Sequence, residues 1–320
     1  MITVLAGGVG AARFLRGLIQ VVPPTEITAI VNTGDDTVMH GLFICPDLDT
    51  VTYTLAGAID PERGWGLRDE SWRAMEALAR FVPVRPALSH AAPTWFNLGD
   101  QDLATHFYRT ARLGEGATLT EVTGEIAHAF GLHVRLLPMS DQRVETRVTV
   151  VGETEISFQE YFVQRHHNVP ISQVRFVGAE QATLTGAAAR ALMGADAIVI
   201  APSNPLVSIG PLRALSGVDA ALSARRKSVV AISPIVGGAA LKGPADHMLE
   251  ELGHEASVVG VAHLYASIAA CLVIDPVDAH LADQVEAAGM RAIVVPSIMS
   301  SPEISAELAR TALAAAGIDR

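Results

Sequence analysis

ITAIVNTGDDTVMHGLFICPDLDT, residues 27–50, carries the logic of the chain. The β-branched run Ile27–Val31 predicts a buried strand, and a polar turn at residues 32–36 follows it directly. Asp35, Asp36, Asp47 and Asp49 therefore all come after one apolar strand. Carboxylates crowded in this way raise one another's pKa. They persist as exposed surface, or where a cation or a donor-rich ligand offsets the repulsion. A Gly-containing turn and a Pro/Asp loop are each common in isolation. Together, beyond the carboxyl end of a strand, they point to a site.

Upstream, ITVLAGGVGAAR reads as strand, glycine loop and helix, with Phe14, Leu15, Leu18 and Ile19 on one helical face. Glycines let a backbone approach a phosphate, and the helix N-terminus behind them supplies N–H groups and partial positive charge. The loop reads Gly8-x-Gly10-x-x-Arg13, so arginine stands at the third dinucleotide-binding glycine, and no GxxxxGK[ST] occurs. Downstream, ADAIVIAPSNP, KSVVAISPIVGG, ACLVIDPVDAH and RAIVVPSIM are continuous apolar runs separated by helical patterns, as parallel strands covered on both faces require.

The chain thus begins and ends in one α/β unit: a doubly wound, mostly parallel, Rossmann-like sheet. Ligands in such sheets bind beyond the carboxyl ends of the strands. The segments there, GGVG, NTGDD, APSNPLVSIGP, SPIVGGAALKGP and DPVD, suit a nucleotide diphosphate. Ser203 and Asn204 would donate from side chains, with Arg13 and Lys242 as local cations.

Between these parts, residues 50–58, 69–81 and 119–130 read as helices, with Thr118 or Thr120 capping the last. A further helix opens at Asp100 or Gln101 and carries His106 and Arg109. Residues 134–163 alternate like strands, with a hairpin turn at Gly152-Glu153. The expected division is a core of residues 1–130 and 180–320, with 131–179 a β-rich insertion forming a smaller α+β lobe. Trp65, Trp95 and Phe96 are either anchors under a long loop or stackers on a planar ring. His40 and His106 read as surface or satisfied-core histidines, and His166-His167 as a surface loop.

The composition narrows the function. Half of the 320 residues are hydrophobic and the formal charge is −11, so the chain is globular and ill-suited to nucleic acid or an anionic membrane. Cys45 and Cys271 form no CxxC and no nearby pair, which argues against a disulfide framework or zinc–thiolate site. With no basic leader and no apolar run long enough to span a bilayer, a soluble cytoplasmic protein is expected. Nothing resembles a GxSxG or Cys-His apparatus.

GGVGAARFL, VNTGDD, PDLDT, the LGD segment at residues 95–100, LPMSD, FQEYFV, APSNP with SIGP, and SPIVGGAALKGPA resemble the 2-phospholactate transferase family of coenzyme F420 biosynthesis, in order over nearly the whole chain. The resemblance implies transfer of a phosphorylated three-carbon acid from a guanosine diphosphate donor to the ribityl hydroxyl of the deazaflavin Fo, with magnesium, releasing GMP. The sequence is most similar to the bacterial branch, whose donated unit is phosphoenolpyruvate. It implies that Gly7, Gly8, Gly10, Ser203, Asn204, Pro205, Ile209 and Gly210 hold the guanosine diphosphate. Asp35, Asp36 and Asp49 would hold magnesium and, with Thr50, Trp65 and the segment around Asn97, the acceptor; Asp49 is the candidate catalytic carboxylate. Many relatives carry lysine or arginine where this chain has Asn97, so Arg63 or Arg68 is expected to substitute. A homodimer is also expected. Two rivals are a nucleotide-sugar-binding regulator of the gluconeogenesis-factor type and an NAD-dependent dehydrogenase using Asp35 on the ribose.

Overall fold

The structure, a computed structural model, describes residues 1–89 and 91–318. Seven strands form the central sheet: β1 (Ile2–Ala6), β2 (Ile27–Val31), β3 (Arg135–Pro138), β4 (Ala197–Ile200), β5 (Val229–Ile232), β6 (Cys271–Ile274) and β7 (Arg291–Val294). Their order is β7-β6-β5-β4-β1-β2-β3, and every pairing is parallel. The chain winds outward from β1 through β2 to β3, then returns to β4 on the other side of β1. That reversal opens a crevice beyond the carboxyl ends of β1 and β4, where such sheets bind ligands.

The alternating side chains of β1 feed two cores. Ile2, Val4 and Ala6 pack with Phe14, Leu15 and Leu18 of α1 (Gly8–Leu18), and with Leu308 and Leu313 of the Pro302–Ala315 helix. Leu5, with Ile30, Ile198 and Ile200, packs on the opposite face against Leu192, Leu222 and Tyr265. Each such buried side chain contributes roughly 1.5–3 kcal/mol. Burial on both faces is why these strands read as uninterrupted apolar runs.

Two elaborations leave the sheet. The first spans residues 32–134, between β2 and β3. It begins with a hairpin, Thr37–Met39 against Leu42–Ile44, whose turn residues His40 and Gly41 both have positive φ. It continues through α2 (Pro46–Leu55), α3 (Asp100–Gly114) and α4 (Leu119–Ala129). The helix expected over residues 69–81 is only Arg73–Leu78, because Pro83 lies in the 3-10 stretch Ala79–Val84 that follows. Thr118 caps α4 in a reciprocal capping box with Glu121.

The second elaboration is a three-stranded antiparallel sheet, Glu145–Val150 flanked by Glu155–Ser157 and Ile171–Val177. It begins later than residue 131, since Arg135–Pro138 belongs to the central sheet. The amide of Thr146 donates to the carbonyl of Gly34 at 2.7 Å, and Gln159 Nε2 to the carbonyl of Asp35 at 3.0 Å, so this small sheet forms a wall of the crevice. Among the described residues no helix is long and apolar enough to cross a membrane.

Candidate active site

The glycine loop after β1 and the loop after β4 meet across the crevice. Ser203 Oγ accepts from the amide of Gly7 at 3.3 Å and donates to its carbonyl at 2.9 Å. A Cβ at Gly10 would overlap the Pro202 carbonyl oxygen, so only glycine lets the first turn of α1 sit this close. Asn204 is spent on its own turn: Oδ1 accepts from Leu206 N at 2.9 Å, and its carbonyl accepts from Ser208 and Ile209. Ser203 and Asn204 therefore shape the loop with their side chains. Ile209 is wholly buried, Pro205 is buried, and Gly210 opens the short Gly210–Ala214 helix against Phe176. Val9 and Gly10 at the helix N-terminus are half-exposed. Arg13 lies one turn further along α1 and is also half-exposed.

The acidic stretch divides in two. Pro46 occupies the first turn of α2, so Asp47 and Asp49 are helical residues at the positive end of the helix dipole rather than loop residues. Two residues on a helix are about 200° apart around its axis, and the carboxylates diverge accordingly. Asp47 turns to the glycine loop, accepting from Asn32 Nδ2 at 2.9 Å and from the amide of Gly8. Asp49 turns to α3, where Arg109 grips both its oxygens; Nη1 lies 3.1 Å from Oδ2.

Asp35, Asp36 and Asp47 are buried. Burial and the charge of Asp47 raise Asp35 well above the usual carboxylate range. Burial likewise raises Asp36, and burial pushes Asp47 up to about 6 against its bonds from Asn32 and Gly8. Asp35 Oδ1, Asp36 Oδ1 and the hydroxyls of Thr33 and Thr146 are buried without a hydrogen-bond partner. Orphaned acceptor oxygens among mutually repelling carboxylates are the donor set of a hard divalent cation. Among the described residues, the group whose ligand atoms all lie within 4.8 Å of one another is a second one, Asp49, Asp102 and His106. That second cluster already contains the Arg109 guanidinium, 3.2 Å from His106 Nδ1, and a further cation there would be repelled.

The loop of residues 60–66 and its neighbours have other duties. Arg63 lies 5.4 Å from the Trp65 ring centroid and 5.0 Å from that of Trp72, and bonds Asp60 and Glu70. Arg68 donates to the carbonyl of Gly57 at 3.1 Å. Arg63 is thus committed to its own loop, whereas Arg68 is exposed and, among the described residues, keeps its charge unpaired by any carboxylate; Asn97 is exposed as well. Trp65 is 41% exposed. Trp95 and Phe96 pack on Met39, Met75 and Leu98 as core anchors. Thr50 is half-buried on α2, and the amine of Lys242, in the loop after β5, lies beside Gly64 of the 60–66 loop. Asp275 and Asp278 are structural: the first caps the 3-10 turn at Val277 and binds Ser297, the second accepts from Gly237.

The comparisons with known proteins agree with this architecture. The family model described as 2-phospho-L-lactate transferase CofD matches residues 2–297. A Streptomyces griseus protein named phosphoenolpyruvate transferase is 46% identical over 316 residues, covering 98% of this chain and 97% of its own. One of the same name from Mycolicibacterium smegmatis is 40% identical over 331 residues, covering 99% of both. Among solved structures, a UPF0052-family protein from Bacillus halodurans superposes with TM-score 0.59 at 15% identity over 97% of this chain and 98% of that one, a likeness of fold. With the family model spanning the central sheet and both elaborations, the chain belongs to the CofD family of 2-phospho-L-lactate transferases.

Proposed function

We propose that the protein transfers a phosphoenolpyruvyl group, or its 2-phospholactyl counterpart, from a guanosine diphosphate-linked donor to the ribityl hydroxyl of the deazaflavin Fo in coenzyme F420 biosynthesis. The attacking hydroxyl oxygen forms a bond to the phosphorus that carries the three-carbon acid, the anhydride bond to GMP breaks, and GMP leaves. The observation that carries this reading is the buried acid cluster at the crevice, with unpartnered oxygens on Asp35 and Asp36 beside the glycine loop. Such a transfer needs positioning and charge neutralisation rather than a covalent nucleophile. The relatives' name favours the enolpyruvyl donor.

In this reading Asp35, Asp36 and Asp47 hold magnesium. The ion, when bound, neutralises charge on the diphosphate and on the departing GMP. The glycine loop and the turn at residues 203–210 seat the nucleotide, chiefly through backbone groups, and Arg13 and Lys242 add positive charge at its edge. Asp49, committed to Arg109, is left to the acceptor: it hydrogen-bonds the attacking hydroxyl and receives its proton. Thr50, Trp65 and the segment around Asn97 border that acceptor.

Mass spectrometry of Fo incubated with the protein, magnesium and each guanosine donor in turn tests the proposal. A product carrying the enolpyruvyl unit is expected. Nucleotide binding without a product from either donor would overturn it in favour of a binding protein.

A further inference from the structure

Among the described residues Arg109 is the largest fully buried side chain, and it bears a charge. It belongs to a chain of polar side chains shared by two helices. Asp49 and Tyr53 stand one turn apart on α2; Asp102, His106 and Arg109 form the facing stripe on α3 at spacings of four and three. Tyr53 donates to Asp102 at 2.6 Å, His106 Nε2 lies 3.3 Å from Asp102 Oδ2, and Arg109 Nη1 lies 3.2 Å from His106 Nδ1. Arg109 then ends the chain on both oxygens of Asp49 and also reaches the carbonyl of Phe43 at 3.3 Å.

Arginine can only donate, so His106 Nδ1 accepts and the ring proton sits on Nε2, which is buried 3.3 Å from Asp102 Oδ2 without completing a hydrogen bond. The link that sets the guanidinium's plane is thus the one from His106 Nδ1, with Asp102 alongside the ring as its nearest charge. A planar guanidinium bonded at both Asp49 oxygens leaves that carboxylate no freedom to rotate.

We propose that Arg109 is a positioning residue for the transfer, with His106 and Asp102 holding its guanidinium in the plane that presents Asp49 to the acceptor hydroxyl. The inference rests on the acceptor role given to Asp49 above. It goes further in assigning the chemistry's dependence on orientation to three residues of α3, none of which faces the nucleotide loop in the contacts described. A buried ion pair that only joins α2 to α3 would also favour this plane, so turnover rather than stability is what tells the two roles apart.

The two roles separate in one set of variants. Arg109→Lys keeps the charge and loses the two-pronged grip. Its kcat is expected to fall about 100-fold, the consequence of a misplacement near 1 Å, while affinity for GDP stays within about twofold. His106→Asn retains an acceptor near the Nδ1 position, and His106→Leu retains only bulk. The expected order of kcat is His106→Asn above His106→Leu, with both melting near the wild type and binding GDP equally. Should Arg109→Lys not fold, this order alone decides. Full turnover by Arg109→Lys, or His106→Leu as active as His106→Asn, would overturn the positioning role while leaving the transferase reading intact. A wild-type protein that binds GDP and transfers nothing would overturn both.

Discussion

The hydroxyl of Ser203 clasps both backbone groups of Gly7, accepting from one at 3.3 Å and donating to the other at 2.9 Å, across 196 residues of chain. It joins the loops of β1 and β4 at the point where the sheet reverses direction. Ser203→Ala leaves a buried amide and carbonyl unpaired, costing about 1–3 kcal/mol. Thermal unfolding should register that loss, and calorimetric titration should show GDP affinity reduced about tenfold, since 1.4 kcal/mol corresponds to a factor of ten. Unchanged affinity would mean that the loop is held by other contacts.

The acid cluster predicts how stability responds to pH and magnesium. Burial pushes Asp47 up to about 6 from an ordinary value of 3.8, and Asp35 and Asp36 are raised as well. Between those limits the folded protein retains protons that the unfolded chain has released. The contribution is complete below about pH 4 and is lost as pH climbs through about 6. Metal-free wild type should therefore lose melting temperature relative to Asp47→Asn over that interval. Added magnesium should restore it most strongly at neutral pH. A pH-independent difference between the two proteins would refute the assignment of Asp47.

The Arg109–Asp49 pair predicts strong non-additivity. Removing either partner alone leaves a buried charge without compensation, at about 3–5 kcal/mol. Arg109→Met with Asp49→Leu should be less destabilised than the sum of the single changes, as read in a denaturant double-mutant cycle. The same double variant should have no transferase activity despite its recovered stability. Simple additivity would show that the pair is not coupled.

Thr118 offers a control remote from the chemistry. Its capping box at the start of α4 predicts that Thr118→Ala costs about 1 kcal/mol in unfolding free energy. Neither kcat nor GDP affinity should move. A fall in turnover would tie α4 to the site.

Much of the fold could be read from the chain because strands buried on both faces write themselves as apolar runs, from Ile27–Val31 to Cys271–Ile274. The hairpin at residues 37–44 escaped such reading because its strands are only three residues long and half-exposed, too short to show an alternating pattern. The start of α2 was legible: proline followed by two acids is a helix opening, and recognising it would have sent Asp47 and Asp49 in different directions. The role of Arg109 was not. Its partner lies 60 residues away, and a single arginine in a helical pattern gives no local sign that it will be buried.

The placement of residues 32–134 in the single crossover between β2 and β3 has an evolutionary consequence. Lengthening a loop adds little to its closure entropy, about 0.6 kcal/mol for each doubling, and β3 is an edge strand that only β2 must recruit. The part of that crossover beyond α2 can be rewritten while the strands that frame the crevice, β1 and β4, and the acids of residues 35–47 stay as they are. Such a fold can vary the outer helices of one crossover without unpicking the sheet that they border.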